Sequence, residues 1–427
     1  MRKVGLLLAM MYGCVSTFSQ TSLETYLKEN NSELNSELKS GKLTGADFSG
    51  SQYVLLGEVH GFSDVQDVDL ELLKLLNGRY QFKHYIAEID DAKAWLLNKY
   101  LSTGDESLLH NIFKSWERDT AQWANLPYFN KFKKLYEYQK QLPNNKKIVV
   151  VGIDQPHDYS IVKEYMAFLT QSVKGQQFGS QLEKLRNAID ERNKSAIQAS
   201  ATDLLKNINN EKDKGARALG SNRQPILLLL NNLSAISKTR DGVMFDNLER
   251  YINTYQLQKA KMYGFLGFFH CLQASYNQNS PFAYLLKKTM KNAKVTSIVC
   301  YYKDGMIMMP YNAQMKQMIP VTVATQFWSQ YPDFANSKKY IPLPYSNDQS
   351  NPMMEKMDRM ESLVDLTKPS SVYLFKLNRD HSPFRTEKTF AEVKGIMGLK
   401  LSDSSNSTTD AFQYLLLFRN PQAAPPK

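Results

Sequence analysis

Short apolar runs alternate along this chain with stretches of helical periodicity, and that alternation limits the possible folds more than any other feature. Tyr53-Val-Leu-Leu56 reads as a buried strand ending at Gly57. A helix is expected from Ser63, because Ser63-x-x-Gln66 fits a capping box and Val65, Val68, Leu72 and Leu75 follow at helical spacing. Tyr85-Ile-Ala87 is a second strand, with a helix over Ala92 to Tyr100. Lys147-Ile-Val-Val-Val151 is a third, preceded by a helical stretch around Phe129 to Gln141, and Met262 to Phe269 is a fourth. Phe412-Gln-Tyr-Leu-Leu-Leu-Phe418 closes the series before the tail Pro421 to Lys427. Strands alternating with helices predict an α/β fold with a mainly parallel central sheet flanked by helices.

Three spans break this rhythm. Residues 21–50 are polar and predict an exposed helical lead-in. Residues 159–235 carry long Lys-, Asn- and Gln-rich helical patterns, including Gln181 to Arg192 and Ala199 to Asn210. They predict a helical insertion covering the cleft of a core made of 21–158 and 236–427. Residues 313–370 hold Pro320, Pro332, Pro342, Pro344, Pro352 and Pro369 and predict loops and short strands. At the start, Arg2 and Lys3 precede a short apolar stretch, Val4 to Tyr12, and a small, polar segment to Gln20. That pattern predicts a signal peptide over 1–20 and an exported chain, secreted or periplasmic, with lipidation at Cys14 as the alternative. No later segment approaches the roughly 20 apolar residues of a membrane helix.

Beyond Cys14 the chain has only Cys271 and Cys300, which allow one disulfide or two buried thiols. Lys and Arg number 53 against 42 Asp and Glu, a net charge of +11. The excess is scattered in pieces such as Lys131-Phe-Lys-Lys134 and Lys287-Lys288, without zinc-finger spacing or a long basic tract. It reads as solvated surface, not as a nucleic-acid interface.

In an open α/β sheet, ligands lie beyond the carboxyl ends of the strands. Four of the expected strands end there in ionisable residues: Glu58 and His60; Glu88, Asp90 and Asp91; Asp154 and His157; and His270. Glu58 and His60 form the sharpest pair, between Gly57 and Gly61, which let the backbone turn tightly. A neutral imidazole there can take a proton from water while a carboxylate fixes its tautomer. The alternative is Glu58 capping the next helix and His60 a satisfied loop residue. Glu88 follows an apolar strand, and its carboxylate is either desolvated or paired. Asp154 and His157 straddle Pro156 and read as a structural turn. Cys271 should point to the opposite strand face from His270, which weakens a Cys–His nucleophile. His84 falls at the wrong end of the sheet, and His110 and His381 have no supporting context.

Taken in order, these motifs resemble the erythromycin esterase family, within the wider group of Tiki-like and haem-uptake proteins. The resemblance rests on Gly57-Glu-Val-His-Gly61, Ile86-Ala-Glu88, Gly152-Ile-Asp154, Arg240-Asp-Gly-Val-Met244-Phe-Asp-Asn247, His270 and the Asp410-Ala-Phe-Gln-Tyr-Leu run. It covers about residues 50–425. Val59 stands alone between Glu58 and His60, a spacing more like the haem-uptake and Tiki branch, and Leu272-Gln-Ala-Ser replaces a second histidine after His270. The resemblance implies a hydrolase acting on a small-molecule ester or lactone without a cofactor. His60 would be the general base, Glu58 and Glu88 would orient it or the substrate, and Arg240 and His270 would stabilise negative charge. Two alternatives stay open. One is a Tiki-like hydrolase holding zinc or manganese on Glu58, His60, Glu88 and His270; the other is a non-catalytic protein binding haem or another small molecule.

Overall fold

The computed structural model describes residues 22–34, 45–171, 178–211, 218–235, 238–348, 356–395 and 398–427. The expected signal segment and Cys14 lie outside them. Six adjacent parallel strands make up most of an eight-stranded sheet, in the order β12 (Tyr414–Arg419), β6 (Val295–Lys303), β2 (Tyr53–Glu58), β5 (Met262–Gly267), β3 (His84–Ala87) and, at one edge, β4 (Val149–Gly152). Beyond β12 lie two antiparallel strands, β10 (Val372–Lys376) and then β1 (Asn31–Glu33). Flanking helices cover the parallel strands, so β2 and β5 are buried along their whole length. Alternate β2 residues serve opposite layers. Val54 and Leu56 join Tyr85 and Phe265 on one face, while Tyr53 and Leu55 join Met244 and Leu248 on the other.

Chain direction places the site. From β2 the chain crosses to β3 and β4, returns to insert β5 between β2 and β3, then passes to β6 on the far side of β2. That reversal opens a crevice at the carboxyl ends of β2, β5 and β3. Local signals set the helices that frame it. Asp90 caps Asp91–Thr103 by accepting from Lys93 N at 3.0 Å, and Gly104 ends that helix in the left-handed region at φ 76°.

Several expectations need correction. The Ser63 capping box does not form: Ser63 Oγ donates instead to Ala423 O at 3.1 Å, because the C-terminal tail runs alongside. The lead-in is not simply exposed, since Leu23, Tyr26 and Leu27 are buried and β1 extends the sheet. The fourth strand stops at Gly267, and Phe268–Cys271 is a 3-10 turn carrying His270. The Pro-rich span holds helices Ala313–Met318, Val321–Gln330 and Pro332–Ala335 as well as strands. Its strand β8 (Tyr340–Tyr345) pairs with β7 (Gly305–Pro310), and β9 (Lys356–Met357) with β11 (Val393–Lys394). Cys271 and Cys300 are both free and buried.

The described parts of residues 159–235 are mainly helical, with helices Tyr159–Thr170, Gly179–Asp190, Lys194–Asn210 and Arg223–Ser234. Among the described residues, however, none of this span lines the cleft; the β7–β8 hairpin supplies that wall. Tyr165, Leu228 and Asn232 of the span line a separate cavity of about 370 Å³ along the edge strand β4. No described helix is long and apolar enough to cross a membrane.

Candidate active site

Glu58 is the last residue of β2, and its side chain is buried. Two residues beyond Val59 the chain turns at Gly61, whose φ of 105° and closeness to Met308 O leave no room for a Cβ. Gly57 does not turn: it lies within the strand and lets Phe268 and Cys271 pack against it. The turn is held from three sides. Met308 N and Ala424 N both donate to Gly61 O, at 3.0 and 2.9 Å, and Gln122 Nε2 donates to His60 O at 2.9 Å. His60 thus sits on a fixed backbone with its ring against Trp123, centroids 3.9 Å apart.

Its Nδ1 lies 3.1 Å from Glu58 Oε1. Its Nε2 lies 3.8 Å from Glu88 Oε1, beyond hydrogen-bond distance, and the side chain keeps 24% of its exposure at the cleft. Gln66 Nε2 is 3.4 Å from Glu58 Oε2. Burial pushes Glu58 above the ordinary carboxylate range, against the opposing hydrogen bond from His60.

Glu88, just past β3, is the hub of the floor. Its Oε2 accepts from Gly267 N at 2.6 Å, and its Oε1 accepts from Arg240 Nη2 at 2.7 Å with His270 Nε2 at 3.5 Å. Burial alone would raise Glu88, but the His270 hydrogen bond and the charges of His270 and Arg240 hold it well below the usual range. Arg240 opens the helix Arg240–Thr254 and binds Asp154 through two nitrogens, Nη2 at 2.6 Å and Nε at 3.0 Å. Asp154 therefore positions Arg240 from beneath the cleft, correcting its reading as a plain turn residue; burial is outweighed by its His157 and Arg240 hydrogen bonds and its pKa falls. His157 itself points outward, 3.6 Å from Asp154 Oδ2.

His270 is clamped on both ring nitrogens. Asp241 Oδ1 lies 2.7 Å from Nδ1 and also accepts from Phe282 N at 2.7 Å, while Glu88 takes the Nε2 side. Burial opposes its charge, but the hydrogen bonds to Asp241 and Glu88 prevail and raise its pKa to about 10. The folded value thus exceeds the ordinary one near 6.5. Its stabilising contribution is full below about pH 6.5 and lost as pH rises through about 10. The melting-temperature gap between wild type and His270→Gln is therefore expected to narrow across that window. A constant gap would remove the imidazolium assignment.

Glu58, His60, Glu88, Arg240 and His270 all line one cleft of about 470 Å³. Its walls are apolar: Phe268 and Phe269 after β5, with Ile307, Met309, Met315 and Leu343 from the hairpin segment. Sequence reasoning did not find Gln66, Trp123 or Gln122. No group of three or more His, Cys, Asp or Glu side chains that could hold a metal occurs among the described residues. At the floor the positive charge beside Glu88 is the Arg240 guanidinium, 2.7 Å from Oε1.

No protein-family model matches the chain, and no curated protein matches it by sequence. Solved structures share its fold. A Bacillus cereus structural-genomics target superposes with a TM-score of 0.67 at 13% identity, covering 95% of this chain and 98% of that one. A succinoglycan biosynthesis protein gives 0.62 at 14% identity, covering 96% and 99%. An erythromycin esterase mutant in its open conformation gives 0.59 at 12% identity, covering 90% and 96%. At these identities the likeness establishes the fold and a distant structural relationship to the esterase.

Proposed function

We propose that this protein is an exported hydrolase of ester or lactone bonds, with His60 as general base. The observation that carries the reading is the different treatment of the two histidines. Both nitrogens of His270 face carboxylates, which fixes it as a charged double donor. His60 has a close carboxylate on Nδ1 only, and its Nε2 borders the open cleft. With Glu58 accepting the Nδ1 proton, Nε2 carries the lone pair that removes a proton from water. The resulting hydroxide adds to the carbonyl carbon. Arg240 and His270 face the oxygen that gains charge, and the imidazolium returns its proton to the departing alkoxide. The products are a carboxylic acid and an alcohol, and no serine nucleophile is required.

The apolar walls support a substrate whose bulk is hydrophobic. The structural likeness to an erythromycin esterase is consistent with hydrolase chemistry. Export rests on Arg2, Lys3 and the apolar stretch Val4 to Tyr12. A panel of chromogenic acyl esters and lactones, assayed with and without a chelator, tests the reaction. Turnover that survives chelation is expected. Loss on chelation that zinc or manganese restores would replace the base mechanism with a metal-bound one, and no turnover on any member would leave a binding protein.

A further inference from the structure

The hairpin segment that walls the cleft has a second face. Between β7 and β8 the chain forms helix Ala313–Met318, turns at Pro320 and enters helix Val321–Gln330. Met315 lines the cleft, but Met318, Val321 and Val323 are 54%, 59% and 39% exposed. Single exposed apolar residues are ordinary. Here three of the seven large exposed hydrophobics among the described residues fall within six positions of one turn. From Gly305 to Pro332 there is no Asp or Glu, while Lys316 stands exposed beside the turn.

We infer that this turn, residues 318–323, docks on an anionic lipid surface and delivers an amphiphilic, long-chain ester to the cleft. The chemistry favours lipid over a protein partner. The exposed side chains are aliphatic or thioether, without the Trp, Tyr or Arg anchors that concentrate protein–protein binding. They carry no charge to desolvate, and Lys316 can bury its stem at the headgroups while its ammonium meets anionic lipid. Three such side chains give shallow, reversible attachment. Met318 and Met315 belong to one helix, so the apolar tip continues into the apolar cleft wall. An acyl chain can pass between them with little exposure to water. The substrate class rests on the ester-hydrolase reading; the docking does not.

The test is co-sedimentation of the full chain with vesicles of phosphatidylcholine, alone and mixed equally with phosphatidylglycerol. Binding to the mixed vesicles is expected. Met318→Asp with Val321→Asp should lower the partition coefficient about tenfold or more, with an unchanged thermal melt. Lys316→Glu should weaken binding to the anionic vesicles only. Absence of binding, or equal binding by the double variant, overturns the inference. So does self-association of the wild type that the double variant abolishes, which would make a second copy the occupant. Hydrolysis of a short water-soluble ester separates the two readings. Its presence without vesicle binding sinks docking alone, and its absence with vesicle binding sinks only the hydrolase and the ester delivery.

Discussion

Lys131→Met is expected to cost the fold about 3–5 kcal/mol, the range for removing one partner of a buried ion pair. Lys131 Nζ lies 2.6 Å from Asp69 Oδ2, with side-chain exposures of only 2% and 1%. The ammonium sits over the rings of Tyr128 and Phe265, 4.1 and 4.2 Å from their centroids. Methionine keeps most of the stem volume but removes the charge. Asp69 would then be left buried with the Tyr85 hydroxyl, 2.7 Å away, as its remaining donor on that oxygen. Adding Asp69→Asn should recover most of the loss, because a neutral pair no longer strands a carboxylate. Urea denaturation of both singles and the double measures this directly. A single variant within about 1 kcal/mol of wild type would show that the pair is solvated in solution. The damage should also reach the cleft, since Tyr128 packs on Trp123 and Trp123 on His60.

That pair also marks a limit of the sequence. Lys131-Phe-Lys-Lys134 reads as solvated basic surface, and for Lys133 and Lys134 it is, with exposures of 43% and 55%. Yet Lys131 falls on the face that carries Tyr128, Phe132 and Leu135, all buried. The helical period held the information; the average behaviour of lysine concealed it. Strands β2, β3 and β5 and the ionisable residues at their ends were legible because both signals are local and these strands are continuous apolar runs; β6 is missing from the expected series. Asp154 was not legible as a site residue, because its partner Arg240 lies 86 positions away and only the sheet brings them together. Nor was the cleft wall. Its prolines suggested loops, whereas Pro320 and Pro332 start helices, where a missing N–H costs nothing. The tail likewise gave no sign that Ala424 would pin Gly61.

Loss of His60 should have the largest effect on activity. His60→Ala is expected to lower kcat on an ester by roughly 10²–10⁴-fold, the usual contribution of a positioned base. KM should change little, because the walls that hold the substrate's bulk are Phe268, Phe269 and hairpin residues that the substitution leaves in place. Folding should also change little. The side chain is partly exposed, and Gly61 is held by Met308, Ala424 and the glycine's own conformation, not by the ring. Glu58 loses its partner and keeps Gln66 on its other oxygen; burial disfavours its charge, so in the variant it can take up a proton. Glu58→Gln should give a smaller loss: the amide oxygen still accepts from Nδ1, but no charge stabilises the imidazolium formed in the transition state. A structural role and a chemical one then separate by rescue. His60→Gly leaves a gap beside Trp123, and added imidazole should restore part of the turnover in proportion to its neutral fraction, hence more strongly as pH rises toward 8. A merely structural histidine would show no such dependence. Full kcat in a folded His60→Ala protein would remove the base from this residue, and attention would pass to the Glu88 carboxylate, held 3.8 Å away across the same cleft.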